Sequence, residues 1–241
     1  MQQADNLGAL PGVDHGFCSI NDPARPDAVF ICKQVHSATV IEWQAQLATN
    51  SVAADGVFTR KHQPIAVITA DCLPILIAAQ DGARVAAVHG GWKGLQGGII
   101  ANAVQQFADE GIAVEQLQVA IGPSIKACCY EVSEDFIAQF QADQGHLWRD
   151  GRAPWSFVQP APLLPPEIAP PYARQTGSAW FDLSGYGVML LQAAGFKREQ
   201  IDVSEVCTYC TSASFASYRR RMHHPEEAKT LIYSWIARTD R

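Results

Sequence analysis

A chain of 241 residues, 48% apolar and 17% charged, is long enough to bury a sizeable core and too apolar to be disordered. Its formal net charge of −6 argues against a general nucleic-acid binder but leaves room for a local basic pocket.

The opening MQQADNLGALPG has neither a basic start nor a long apolar stretch, so no secretory signal is expected. Val29 to Val35 reads as a strand. Ile65 to Thr69 and Leu73 to Ala79 read as two strands joined by a tight TADC corner, and Asp81-Gly82 as a turn into a strand at Arg84 to Val88. The longest apolar region, Pro64 to Ala79, is interrupted by Asp71 and Pro74 and is too short and polar to cross a bilayer. Ile99, Ile100, Ala103, Val104 and Phe107 follow helical spacing, with Gly111 as the stop. Leu117 to Ile121 is a further strand. Ser133 is the expected N-cap of a helix running to about Gln141, with Glu134 and Asp135 favourable in its first turn.

Half of the fourteen prolines lie between Pro154 and Pro171. They exclude a regular helix or central strand and predict an ordered surface excursion (154–171) inside one domain spanning residues 1–241. Asp182 is the expected cap of a helix whose apolar face carries Leu183, Tyr186, Leu190, Leu191 and Ala194, closed by Gly195. Ile201 to Val206 and Thr230 to Trp235 read as late strands. Several neighbouring strands have no helix between them, which predicts mixed sheets and an α+β class.

The chemistry concentrates at His36 in KQVHSATV, Cys72 in TADCLPILIA and His89 in AAVHGGWKG. Each stands at the end of a short apolar run. Two imidazoles and a thiolate fill three corners of a tetrahedral zinc site and leave the fourth open, the pattern of catalytic zinc, which activates water near neutral pH. Asp71, beside Cys72, is placed to orient a ligand or carry a proton. The long gaps between the three match no short metal signature, so two other readings stay open: a Cys72–His89 nucleophile and base, or a buried cysteine with satisfied histidines.

The glycines of HGGWKGLQGGI precede a helix as in a phosphate cradle, to which Lys93 would add charge; equally, they would let strand and helix pack closely. The segment is neither a Walker sequence nor GxGxxG. Cys207 and Cys210 in CTYC, lacking a second CxxC, read as partly buried structural thiols. Arg219 and Arg220 are candidates for binding phosphate or carboxylate. His223, His224, Glu226 and Glu227 read as exposed loop. Seven cysteines without an export signal point to reduced thiols in the cytoplasm.

Taken together and in order, QVHSATV, ADGVFT, TADCLPILIA, AVHGGWKGLQGGI, AIGPSIKACCYEV, FDL, CTYC and FASYRR resemble the laccase-domain family, over most of the chain from about His15 to Arg220. Members of that family have been described as multicopper polyphenol oxidases, as purine nucleoside phosphorylases with adenosine deaminase activity, and as peptidoglycan editing factors. The resemblance implies a four-layer α/β/β/α fold similar to cysteine-hydrolase toxin domains. It implies that His36, Cys72 and His89 are the metal and catalytic residues, with Asp71 beside them. The expected ion is zinc rather than copper, because only seven histidines are present and no HxH cluster is visible. The implied substrates are a small-molecule nucleoside and phosphate, with Gly90, Gly91, Lys93 and Arg219 near the phosphate, and no nucleic-acid or membrane partner. The runner-up is a Cys–His hydrolase or amidase of peptidoglycan precursors. Two departures from the family pattern bear on substrate identity: HGFCSINDPARPDAVF reaches the QVH strand almost at once, and RMHHPEEAKT stands where a glycine-rich TGR segment is usual.

Overall fold

The computed structural model describes residues 1–148, 151–173 and 177–240. A one-turn helix α1 (Asp5–Gly8) leads into β1 (Val13–Phe17), β2 (Phe30–Ile31), β3 (Val40–Glu42) and β4 (Gly56–Thr59). Then come β5 (Ile65–Thr69), β6 (Leu73–Ala79), β7 (Val85–Gly90), helices α2 (Trp92–Gln96) and α3 (Ile99–Asp109), and β8 (Leu117–Ile121). The second half holds β9 (Glu131–Val132), α4 (Glu134–Gln144), β10 (Trp155–Ser156), β11 (Ala179–Phe181), α5 (Leu183–Ala193), β12 (Ile201–Val203), α6 (Tyr218–His223) and β13 (Ile232–Arg238).

Two mixed sheets carry the fold. One runs β12-β8-β6-β7-β4-β3, with β6 antiparallel to both neighbours and parallel pairs at its two edges. The other runs β1-β13-β5-β2, with β2 parallel to β5. A small sheet, β10-β11-β9, stands apart. The α+β class with mixed sheets is therefore observed.

Strand β6, LPILIAA, is buried at every position because both its faces are covered. Leu73, Ile75 and Ile77 share a cluster with Ile99, Phe107 and Leu191 of α3 and α5, while Leu76 and Ala78 pack with Ile65, Val67 and Ile236 of the facing sheet. On the far side of that sheet Ala66, Ile232, Trp235 and Ala237 are covered by Val206, Phe215 and Ala216, so the fourth layer is largely irregular chain.

The expected caps are present: Ser133 Oγ accepts from Phe136 N and Asp182 from Gly185 N, and Gly111 and Gly195 take the left-handed conformation at φ 77° and 101°. Four strands differ from expectation: the one expected at Arg84 to Val88 runs from Val85 to Gly90 and so includes His89. Val29 to Val35 holds only the two-residue β2, because Gln34 substitutes its side-chain amide for the ladder, bonding both Ile68 N and Ile68 O. The strand from Ile201 ends at Val203, and the last strand runs on to Arg238 because it pairs with β1 as well as β5. The proline-rich segment is a surface excursion with Phe157, Val158, Leu163 and Leu164 exposed and only β10 paired. Among the described residues no helix is long and apolar enough to cross a membrane.

Candidate metal centre and its cavity

Strand pairing brings the three singled-out residues together. Pro74 faces His89 and Leu73 faces Gly90 across β6 and β7, which sets Cys72 and His89 at the same end of the sheet. Beside β7, Gly56 faces Val88, which sets Asp55 against His89. The loop after β2 then delivers His36. The nearest donor atoms of His36, Cys72 and His89 lie within 4.8 Å of one another, with Cys72 Sγ 3.9 Å from His36 Nε2. The two imidazoles meet edge to face with centroids 4.8 Å apart. His89 is buried, Cys72 half-buried and His36 exposed, so the centre is open on one side.

Asp55, 1% exposed, organises this centre. Its carboxylate lies 2.8 Å from His89 Nδ1 and accepts from Val35 N, His36 N, Ser37 N and Ser37 Oγ at 2.7–3.1 Å. Burial opposes the carboxylate, but the bonds from His89, Ser37 and Val35 outweigh it and hold its pKa well below the usual range. An ionised Asp55 fixes the Nδ1–H tautomer of His89 and leaves Nε2 free as a ligand, the carboxylate–histidine support found behind metal sites. Partial burial, and then the proximity of His89, lower the pKa of His36 and favour its neutral, ligating form. Burial, Asp71 and Asp55 push the Cys72 thiol up to about 12. A thiolate there calls for a cation beside it, so the donor set fits a metal ion.

Two non-glycine residues take positive φ at this centre, His36 at 60° and Asp71 at 90°. Such backbone persists where surrounding bonds hold it. Around His36 these are the bonds to Asp55. For Asp71 they come from the segment after β12 and from the first turn of α6: Thr208 Oγ1 donates to Oδ1 and Arg219 N to Oδ2, both at 2.7 Å. Burial raises the Asp71 pKa against these bonds. Asp71 thus anchors the start of α6, which carries Arg219.

His36, Cys72, His89 and Asp71 line a cavity of about 650 Å³, together with Trp92 and Tyr130. This is the size of a small-molecule site. Arg219 lines it as well, its guanidinium 5.3 Å from the Tyr130 ring centroid and its Nη1 donating to Glu131 O at 2.8 Å. Arg221 and Lys229 complete a cationic wall that the sequence reading missed, and both belong to the segment that departs from the family pattern.

The glycines serve close packing. A Cβ at Gly91 would lie 2.7 Å from His36 Cδ2, one at Gly90 2.9 Å from Leu73 Cβ, and one at Gly94 2.7 Å from Ser37 O. Lys93 is exposed, lies over the Trp92 ring and is not among the residues lining this cavity. Arg220 is buried and structural: Nε bonds both Glu227 oxygens at 2.9 Å, and its other nitrogens donate to the carbonyls of Thr208, Tyr209 and Phe215. Glu227 is thus a clamp rather than free loop, and His223 ends α6 with Nδ1 3.0 Å from Tyr209 Oη. Asp55 was also missed, although a lone aspartate ahead of an apolar strand, in ADGVF, is a detectable sign. The pair in CTYC is not isolated either: Cys207 and Cys210 are buried against Cys128 and Cys129.

Residues 20–232 match the family profile described as multi-copper polyphenol oxidoreductase laccase. The purine nucleoside phosphorylase YlmD of Geobacillus stearothermophilus is 32% identical over 78% of this chain, which spans 66% of that protein, just under two thirds. The adenosine deaminase RL5 of an unknown prokaryotic organism is 31% identical over 70% of this chain and 57% of its own length. The crystal structure of YlmD from Geobacillus stearothermophilus superposes with a TM-score of 0.71 at 28% identity, over 89% of this chain and 74% of that one.

Proposed function

We propose, starting from the fact that the chain belongs to the multi-copper polyphenol oxidoreductase laccase family, that it is an enzyme of purine nucleosides, a phosphorylase that also deaminates adenosine. One observation carries this reading: a metal-type donor triplet, the aromatic side chains of Trp92, Tyr130 and Tyr218, and three cations line the same cavity. Relatives named purine nucleoside phosphorylase and adenosine deaminase supply the substrate class.

Zinc is the ion assigned to the triplet, held by His36, Cys72 and His89; when bound, it supplies Lewis acidity at the open fourth position. The donor set does not favour a copper oxidase. Of seven histidines only two join the triplet, and among the described residues no histidine-rich group stands beside it.

In phosphorolysis, Arg219, Arg221 and Lys229 bind and orient inorganic phosphate. A phosphate oxygen bonds the ribose anomeric carbon as the glycosidic C–N bond breaks, and the purine leaves with the bonding pair and takes up a proton. Trp92 and Tyr130 offer apolar surface to the base and exclude water from it. In deamination, water replaces the exocyclic amino group of adenosine and ammonia leaves. Asp71, in the cavity wall, is the assigned proton carrier for that step.

The runner-up, a thiol hydrolase or amidase of peptidoglycan precursors, requires an anionic Cys72 with a histidine base. Burial and the neighbouring carboxylates oppose that anion unless a cation stands beside it.

The test is incubation of the purified protein with adenosine and phosphate, with and without a chelator, followed by chromatography. Chelator-sensitive adenine and inosine are expected. No nucleoside turnover by folded, metal-loaded protein, together with chelator-resistant and alkylation-sensitive cleavage of a cell-wall precursor, would transfer the assignment to the hydrolase.

A further inference from the structure

A second group of metal-type donors lies outside the cavity. Cys128 and Cys129, on the segment between β8 and β9, meet Cys207 and Cys210 from the segment after β12. Their exposures are 2%, 0%, 6% and 3%. The four Sγ atoms lie within 4.8 Å of one another. Cys129 and Cys210 are 3.3 Å apart, Cys128 and Cys129 3.5 Å, and Cys128 and Cys210 3.9 Å. A disulfide would require about 2.05 Å. Four sulfurs around a single ion at about 2.3 Å stand roughly 3.8 Å from one another, close to the three separations just given and within the 4.8 Å that bounds all four sulfurs. Sulfurs this close leave no room for a polynuclear iron–sulfur cluster between them.

We propose that Cys128, Cys129, Cys207 and Cys210 form a closed tetrathiolate site for one thiophilic divalent ion, with zinc as the expected occupant. A closed all-sulfur set is the signature of structural rather than catalytic zinc.

A neighbouring residue independently points to an anionic centre. Lys126 is buried at 5% exposure. Its Nζ donates to Ser184 Oγ at 2.8 Å and Ser124 Oγ at 3.2 Å, and among the described residues no carboxylate stands within ion-pair distance. Its backbone N–H donates to Cys207 Sγ at 3.5 Å. A buried ammonium without a counter-ion is costly. Four thiolates around one divalent ion carry two net negative charges, and that centre adds to the more distant Asp182 carboxylate in stabilising the ammonium.

The site also has a structural consequence for the cavity. Thr208, inside the Cys207–Cys210 loop, donates to Asp71, and Tyr130, next to Cys129, lies under Arg219. An ion bridging the two cysteine pairs pins together the segments that hold Asp71 and Arg219 in place.

The test uses the full chain carrying Cys72→Ala, which removes the thiolate of the cavity triplet, produced in zinc-supplemented medium. Metal analysis and zinc-edge X-ray absorption are read without reference to nucleoside turnover, so the outcome is independent of the proposed activity. About one zinc per chain with four sulfur neighbours near 2.3 Å is expected. Adding Cys129→Ala should abolish that zinc; if this double variant fails to fold, the absorption spectrum of the first variant still decides. Metal-free protein with all six remaining thiols titratable, a Cys129–Cys210 disulfide detected by mass, or a mixed nitrogen and sulfur shell would each overturn the proposal.

Discussion

His89 Nδ1 lies 2.8 Å from Asp55 Oδ1, and the same carboxylate accepts the backbone N–H groups of Val35, His36 and Ser37. One buried anion therefore holds the imidazole of β7 and the loop that presents the second imidazole. The geometry of the centre depends on a residue that does not belong to the donor triplet.

Asp55→Asn should weaken metal binding by about 10–100-fold, the usual effect of losing a carboxylate behind a ligating histidine. Competition against a chromophoric chelator measures this directly. Unchanged affinity in a folded variant would remove Asp55 from the metal centre.

Gly91→Ala should displace His36, since the new methyl group would lie 2.7 Å from its Cδ2. Metal uptake and turnover should fall together while the fold persists. Gly98→Ala is the contrast: φ there is 92° but the space is open, so roughly 1–2 kcal/mol of stability should be lost with activity retained. Chemical denaturation and turnover measured on both variants separate the two effects. Equal behaviour would contradict the packing role of Gly91.

Arg221→Gln and Lys229→Gln should each raise the phosphate KM about tenfold or more, as expected for loss of a charge-assisted bond of about 1.5–3 kcal/mol. Adenosine deamination, which consumes no phosphate, should change much less. Steady-state kinetics of both reactions decide the point. Equal losses in the two would mean that these cations hold the nucleoside.

His15 predicts a pH dependence of stability. Its ring is buried on β1, with Nε2 accepting from Ala4 N at 2.8 Å. Burial lowers its pKa from the ordinary 6.5, against smaller opposing effects of Asp14 and Asp202. The native state thus favours the neutral ring while the unfolded chain binds the proton. The stabilisation is complete above pH 6.5 and is lost as pH falls through the depressed native value. Urea midpoints should drop across this acidic range for the natural chain and drop less for His15→Gln. Parallel pH profiles would refute the role of His15.

Much of the fold was legible in the chain. β5, β6 and β8 matched their expected limits, as did the caps at Ser133 and Asp182, because apolar period and capping chemistry are local. The three donors were also singled out by residue type beside apolar runs, although His36 stands in the loop after β2 and His89 within β7. The division of labour among the arginines was not. Arg219 and Arg220 are adjacent and chemically identical, yet one faces the cavity and the other is buried against Glu227 and three carbonyls. Lys93 looked better placed for an anion than Lys229, and only Lys229 lines the cavity.

Apolar pattern was enough for the α+β class, the ordered motifs for the family, and residue type for singling out His36, Cys72 and His89 as one candidate group. The role of Asp55, the cationic wall and the four-cysteine cluster came from strand register and loop closure. Register brings Asp55 beside His89 across β4 and β7, and loop closure joins Cys128 to Cys210. The physical reason is that burial and charge pairing are properties of neighbours in space, and those neighbours stand far apart along the chain.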